Sequence, residues 1–315
     1  MIYSTYLLIH YLTLFSGFKL FSCTFLSLRQ NGEAIDPFKG YSSAERRVFF
    51  FDYDGTLTDG KINPEEQLEK LLYDQKNYIY IITARTVESV EMKLPRIKSE
   101  RFFFVGEHGG VLKKSTALTS NGPSQFGLYC KSALKKFIDR LKNKGTVPKD
   151  EDFKTYANGH LTFGFSIEEL KNKSWYQAFV DNLKTEINEN KIGGETVDGL
   201  DLKNLEHAEL NKLIGYKVEV LEKIGFISLQ PKNLHKGSFV QRLLEQLKGE
   251  GLKIYVLGMG NDLPDEPFFQ AMHKNGFTNT IKVGNDIQPD QSVAKLHLEN
   301  PQQCLKFLEK LTLIQ

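Results

Sequence analysis

V-F-F-F-D-Y-D-G-T-L-T-D-G, residues 48 to 60, decides how the rest of this chain is read. Four apolar residues, Val48 to Phe51, run into Asp52, and a second carboxylate, Asp54, follows one residue later, just before Gly55. An apolar run without alternation is the pattern of a strand buried on both faces, as in the middle of a parallel sheet. The two acids then stand at its C-terminal end, the edge of an open α/β sheet where ligands bind. Residues i and i+2 of a strand point the same way, so both carboxyls fall within one small site. Such a pair suits Mg²⁺, which is usually held by one or two carboxylates with water and substrate oxygens. One carboxylate can also attack as a nucleophile while its neighbour moves the proton. Taken alone, D-x-D-G also describes a solvated acidic turn.

Outward from this stretch the chain repeats a strand-then-helix rhythm. The segment PEEQLEKLLYD begins at Pro64 with acids in its first turn, as a helix dipole prefers. Tyr78 to Ile82 is a second apolar run, ending in Thr83-Ala84-Arg85 ahead of the helix-like TVESVEMKL. A hydroxyl there can bond a phosphate oxygen or merely cap the helix. Phe102 to Val105 is a third run, closed by Gly106-Glu107-His108-Gly109-Gly110. This order predicts a doubly wound, Rossmann-like parallel sheet. Between Leu112 and about Gln230 the rhythm breaks: a helix over Leu134 to Leu141, a strand over 160 to 167, a helix over Trp175 to Ile187, a Gly-rich stretch KIGGETVDGLDL and a strand from Ile224 to Leu229. After a turn from Pro231 to Lys236-Gly237 come a helix over Ser238 to Leu247, a buried strand over Ile254 to Leu257 that empties into GMGNDLPDE, a short strand at Ile281 to Val283, and a last helix, PQQCLKFLEKL. The fold class expected is α/β: a doubly wound parallel-sheet core over 44–111 and 232–315, a smaller α+β cap domain inserted over 112–231, and an N-terminal apolar segment and linker over 1–43. The turns near Asn121-Gly122-Pro123 and Pro231 are the expected hinges.

Composition is that of an ordinary globular protein: 315 residues, 40% hydrophobic, 25% charged, net charge +2. That balance argues against nucleic acid or a membrane surface as partner. Cys23, Cys130 and Cys304 are three and widely spaced, which fits reduced thiols and neither a disulfide framework nor a C-x-x-C metal site. Residues 1–28 are rich in Leu, Phe and Tyr, long enough for a membrane anchor or uncleaved signal. They lack an early basic region and a small-residue cleavage site, and Ser, Thr and His interrupt them. Membrane contact by this segment is the less favoured reading, a dispensable N-terminal remnant the plainer one, and the expected location is the cytoplasm.

The string F-D-Y-D-G-T-L-T resembles the first motif of the haloacid-dehalogenase-like phosphatases. Within them, R-R-V-F-F-F-D-Y-D-G-T-L, F-V-G-E-H-G-G, L-Q-P-K-N-L-H-K-G, G-N-D-L-P-D-E-P-F-F and V-A-K-L-H-L-E-N-P-Q-Q are similar to motifs of the trehalose-6-phosphate phosphatases and of the phosphatase domains fused to trehalose-phosphate synthases. The resemblance implies Mg²⁺-dependent hydrolysis of trehalose 6-phosphate, with Asp52 as nucleophile and Asp54 as general acid/base. It places Thr83 and Lys236 on the phosphoryl oxygens, Arg85, Glu107, His108 and Gly109 among the substrate contacts, and Asp52, Asp54, Asn261, Asp262 and Asp265 around the metal. A trehalose-phosphate synthase is the implied partner. Three positions depart from the pattern. Asn261 stands where the family has a metal-ligating aspartate, Gln230 where a basic residue commonly precedes the proline, and the cap, nearest at Phe153 to Phe165, lacks the E-x-K-x-x-S-L-x-x-H-Y-R sequence associated with the disaccharide. They leave two alternatives open: another sugar phosphate as substrate, or a catalytically weak regulatory module of a trehalose-synthesis complex.

Overall fold

The computed structural model describes residues 27–28, 36–117, 135, 137–148, 153, 155–158, 163–166, 170–188, 216–221, 226–231, 234–285 and 291–314. The expected features at residues 1–26, the linker start, the Asn121-Gly122-Pro123 hinge, the KIGGETVDGLDL stretch, Cys23 and Cys130 lie outside these residues.

Twelve strands are described in two sheets. The larger has the order β1-β12-β11-β10-β2-β3-β4-β5, built from Ser27–Leu28 (β1), Arg46–Phe51 (β2), Asn77–Ile82 (β3), Phe102–Gly106 (β4), Val111–Lys114 (β5), Ile254–Gly260 (β10), Thr280–Val283 (β11) and Leu296–Leu298 (β12). Pairings β2 with β3, β10 with β2, β10 with β11 and β11 with β12 are parallel, and the two-residue β1 joins β12 antiparallel. The strand carrying the two acids is therefore central, as its uniform apolarity requires: Val48 to Phe51 are at most 1% exposed. The smaller sheet is antiparallel, in the order β6-β7-β9-β8, from Thr155–Asn158 (β6), Phe163–Ser166 (β7), Tyr216–Leu221 (β8) and Phe226–Pro231 (β9).

Contacts divide the chain into two compact units, one of Met1–Ile82, Arg96–Phe103 and Phe239–Gln315, the other of Thr83–Pro95 and Phe104–Ser238. In the first, helix α1 (Glu65–Leu71) packs against the C-terminal helix Pro301–Thr312, which Asn300 caps by accepting the Gln303 amide at 3.0 Å. Glu266–Lys274 follows β10 and buries Phe268, Phe269 and Met272. Arg47, 3% exposed, anchors the start of β2: its Nε donates to the Tyr41 carbonyl at 2.8 Å, its guanidinium lies 4.0 Å from the Tyr41 ring centroid, and it pairs with Asp74. Cys304 is buried with its Sγ 3.2 Å from Met259 Sδ, and burial pushes the thiol far above its ordinary range, so it is not a reactive thiolate.

In the second unit, α2 (Val87–Glu91) is capped by Thr86, whose hydroxyl accepts the Ser89 amide. Thr83 is not the cap, because the helix starts only at Val87; its Oγ1 accepts the Arg85 amide at 3.0 Å. Phe137 and Phe179 meet at 5.8 Å between centroids, and Phe153 and Trp175 complete the cluster that holds a helix over 137–143 (α3) to α4 (Tyr176–Asn188). The helix expected from Ser238 begins earlier: α5 is Lys236–Gly249, which puts Lys236 in its first turn instead of in the preceding turn. The seed of that helix is His235, whose ring nitrogen and carbonyl both receive Ser238. Among the described residues no helix is long and apolar enough to cross a membrane.

Candidate active site

Asp52 follows β2 directly, and its backbone N–H extends the ladder by donating to the Met259 carbonyl at 2.9 Å. The chain then closes a tight loop: Leu57 and Thr58 N–H donate to the Tyr53 carbonyl, and Gly55 N–H to Thr58. The loop needs φ +78° at residue 55, in the left-handed region where glycine alone is unstrained. Space sets the same demand. A Cβ on Gly55 would lie 2.8 Å from Asn261 Cγ. The loop leaves Asp54 exposed and returns Thr56 inward, where its hydroxyl donates to Asp52 Oδ2 at 3.1 Å. Asp52 is 5% exposed. Burying a carboxylate is costly unless donors offset the lost water, and Thr56 is one of them.

Asn261 follows β10, the parallel neighbour of β2, and is 7% exposed. Its backbone is held from two sides. Asp265 Oδ2 accepts the N–H groups of Asn261 at 2.7 Å and Asp262 at 3.1 Å, within a reciprocal capping box, while the fully buried Lys282 ammonium donates to the Asn261 carbonyl and to Val283 O at 3.0 Å. The surrounding acceptors set the orientation of the side-chain amide. With its oxygen inward, Oδ1 lies 3.0 Å from Thr56 Oγ1 and faces other oxygens. With its nitrogen inward, it donates to Thr56 Oγ1 at 3.0 Å, Asp52 Oδ2 at 3.0 Å and the Asp54 carbonyl at 2.8 Å.

These oxygens fit a cation of the Mg²⁺ type: Asp52, the Asp54 carbonyl and, when its oxygen points inward, Asn261 form an all-oxygen set on two adjacent strand ends. The set carries one formal negative charge, that of Asp52. Among the described residues no group of three His, Cys, Asp or Glu side chains gathers as a metal cluster. Asp265 is 0% exposed and turned to backbone amides, so its observed work is to fix the loop; Asp262 is half-buried and caps the turn that follows.

In the second unit, Thr83, Glu107 and His108 are buried, Lys236 is 2% exposed, and Arg85 is exposed. Glu107 N–H donates to the Arg85 carbonyl at 2.8 Å and His108 N–H to the Thr83 carbonyl at 2.9 Å. These bonds knit the end of β4 to the chain after β3. The price is backbone strain: Glu107 and His108, at φ 51° and 58°, are the non-glycine residues described in the left-handed region. Gly109, at φ +99°, completes the turn.

Sequence reasoning missed Thr56 and Lys282. Thr56 lies inside the quoted motif, and a hydroxyl two residues beyond Asp54 was the available signal. Lys282 sits in a four-residue strand that is buried throughout, and a lysine flanked by Ile281 and Val283 gives no local sign of where its ammonium ends.

The fold and the paired strand ends define an α/β protein of the doubly wound type, and residues 49–285 match the haloacid dehalogenase-like hydrolase family, to which the chain belongs. It is similar to a trehalose-phosphatase of Schizosaccharomyces pombe, 24% identical over 86% of this chain and 31% of that protein. It is also similar to the alpha,alpha-trehalose-phosphate synthase [UDP-forming] B of Dictyostelium discoideum, 25% identical over 90% of this chain and 32% of that protein. The chain thus spans about a third of the length of these relatives. In fold it matches the C-terminal domain of the Candida albicans trehalose-6-phosphate phosphatase, with a TM-score of 0.58 at 20% identity, covering 88% of this chain and 95% of that one.

Proposed function

We propose that this chain is a Mg²⁺-dependent phosphatase that hydrolyses trehalose 6-phosphate through an aspartyl-phosphate. The observation that carries the reading is Asp52: buried at the end of the central strand, with Thr56 donating to one carboxylate oxygen and Asp54 exposed two residues on. An Asp52 oxygen attacks phosphorus, the ester P–O bond breaks, and the leaving sugar oxygen takes a proton from the Asp54 carboxyl. Asp54, now a carboxylate, removes a proton from water, whose oxygen attacks the phosphorus of the acyl phosphate. Inorganic phosphate leaves and Asp52 is restored. Asp52, the Asp54 carbonyl and Asn261 would hold Mg²⁺, with Asp262 close in sequence; when bound, the cation neutralises phosphoryl charge.

The motif resemblance assigns Thr83 and Lys236 to the phosphoryl oxygens and Arg85, Glu107, His108 and Gly109 to the substrate, and these roles belong to the same proposal. So does a cap over residues 112–231 that sets the substrate, supported by a four-stranded sheet separate from the one containing β2. The resemblance of the Dictyostelium synthase supports a trehalose-phosphate synthase as associated or fused partner, and a cytoplasmic location belongs to the same proposal. Asn261 favours a second reading, a catalytically weak regulatory module. Phosphate release from a panel of sugar phosphates, with and without Mg²⁺, separates the two. Turnover of trehalose 6-phosphate above the other sugars supports the first, another preferred sugar corrects the substrate, and no turnover at high Mg²⁺ supports the second.

A further inference from the structure

We infer that the Asn261 amide is a two-position cap on the cation site: its nitrogen closes the site by bonding Asp52 and the Asp54 carbonyl when no cation is present, and its oxygen turns inward when one binds. The inference rests on the Mg²⁺ reading above for its second half only. The first half stands on geometry. One nitrogen lies 2.8–3.0 Å from three acceptor oxygens, two of them the proposed cation ligands. The Thr56 hydroxyl hydrogen is directed to Asp52, which leaves its lone pairs to accept from that nitrogen. An aspartate at 261 would meet the same three oxygens with a second set of acceptors and a second negative charge.

The response to a cation is confined to one torsion. The backbone N–H and carbonyl of Asn261 are both held, by Asp265 and by Lys282, and its side chain lies directly over Gly55. Turning the amide exchanges an N–H donor for a carbonyl acceptor without moving the backbone. Cation binding must therefore break the hydrogen bonds that hold the closed site. The structure thus assigns Asn261 a positioning role: it keeps the Asp52 carboxylate oriented before any cation arrives, and it lowers cation affinity as a consequence.

The test compares the parent chain with Asn261→Asp, both stripped with a chelator, by thermal unfolding and by Mg²⁺ titration calorimetry. Without metal, Asn261→Asp should melt roughly 3–8 °C lower, because the cap is replaced by repulsion. With Mg²⁺ it should bind about tenfold or more tightly than the parent and recover the lost melting temperature. Equal metal-free melting temperatures, or equal Mg²⁺ affinity including no binding by either, overturn the inference. Neither readout needs turnover, so a failure here is distinct from a failure to find the substrate. If Asn261→Asp folds only with Mg²⁺, the inference holds. If it folds under neither condition, hydrogen exchange of the Asn261 side-chain NH₂ in the ¹⁵N-Asn-labelled parent decides. Protection in chelator that is lost at saturating Mg²⁺ supports the turn of the amide, and protection unchanged by Mg²⁺ refutes it.

Discussion

Replacing Gly55 by alanine tests the seating of Asn261 over the first loop. Two costs add. The left-handed backbone at φ +78° penalises any Cβ by about 1–2 kcal/mol. The new methyl would then meet Asn261, 2.8 Å from its Cγ and closer still to the outer atom of its amide, and a forced overlap in a packed site costs about 1–3 kcal/mol more. Gly60 supplies the control: it has φ +86° but nothing within 4 Å of the position its Cβ would take, so Gly60→Ala carries the backbone penalty alone. Urea unfolding of both variants should therefore place Gly55→Ala about 1–3 kcal/mol below Gly60→Ala. Adding Asn261→Ala to Gly55→Ala should recover part of that gap, a coupling that a double-mutant cycle measures. If the two glycine variants lose the same stability to within about 0.5 kcal/mol, or if the cycle shows no coupling, Asn261 does not lie over Gly55 and the account of the closed site is wrong.

Asp52→Asn should leave far-UV circular dichroism unchanged and abolish phosphate release, since an amide cannot attack phosphorus; retained turnover would reassign the nucleophile. Asp54→Asn should slow turnover by about 10² to 10⁴, and an unaltered pH–rate profile would remove it from proton transfer. Burial raises the Asp74 carboxyl pKa, but the Lys76 amide and the Arg47 guanidinium outweigh it and hold the group below the ordinary 3.8. A lowered folded-state value means its stabilisation is present above the ordinary value and is lost as pH falls through the lowered one. Asp74→Asn should accordingly destabilise at neutral pH and flatten the acid limb of the stability curve, read by melting temperature from pH 6 down to about 3. Phe50→Ala, which empties a fully buried site in β2, should cost about 3–5 kcal/mol in urea unfolding.

The core was legible where one strand is buried on both faces, because that environment selects uninterrupted apolar residues: Val48 to Phe51, Tyr78 to Ile82 and Phe102 to Val105 all mark strands of the parallel sheet. The second sheet was less so. The strand expected from Ile224 lies at Phe226–Pro231, and Tyr216–Leu221 went unassigned although Y-K-V-E-V-L alternates as a half-buried strand does. Short elements such as Val111–Lys114, beside β4, and Leu296–Leu298, paired with β11, owe their form to those neighbours and carry little local signal. At the site, residue types at strand ends could be read, and so could the anomaly at Asn261. What surrounds Asn261 could not, because Thr56 and the Asp54 carbonyl reach its side-chain amide, and Lys282 its backbone carbonyl, through the loop geometry of one strand end and the register of two others.

The pairing of β2 with β10 also governs how the protein is made. Arg46 to Phe51 register against Ile254 to Met259, so a ribosome must add about 200 further residues, some 10–40 s of synthesis at common rates, before the strand bearing Asp52 gains its neighbour on that side. During that interval V-F-F-F is an aromatic, uncharged segment of high strand propensity, the kind that nucleates aggregation. Arg46 and Arg47 stand immediately ahead of it and Asp52 immediately behind, so the charges that anchor the strand in the finished molecule also guard it in the nascent chain.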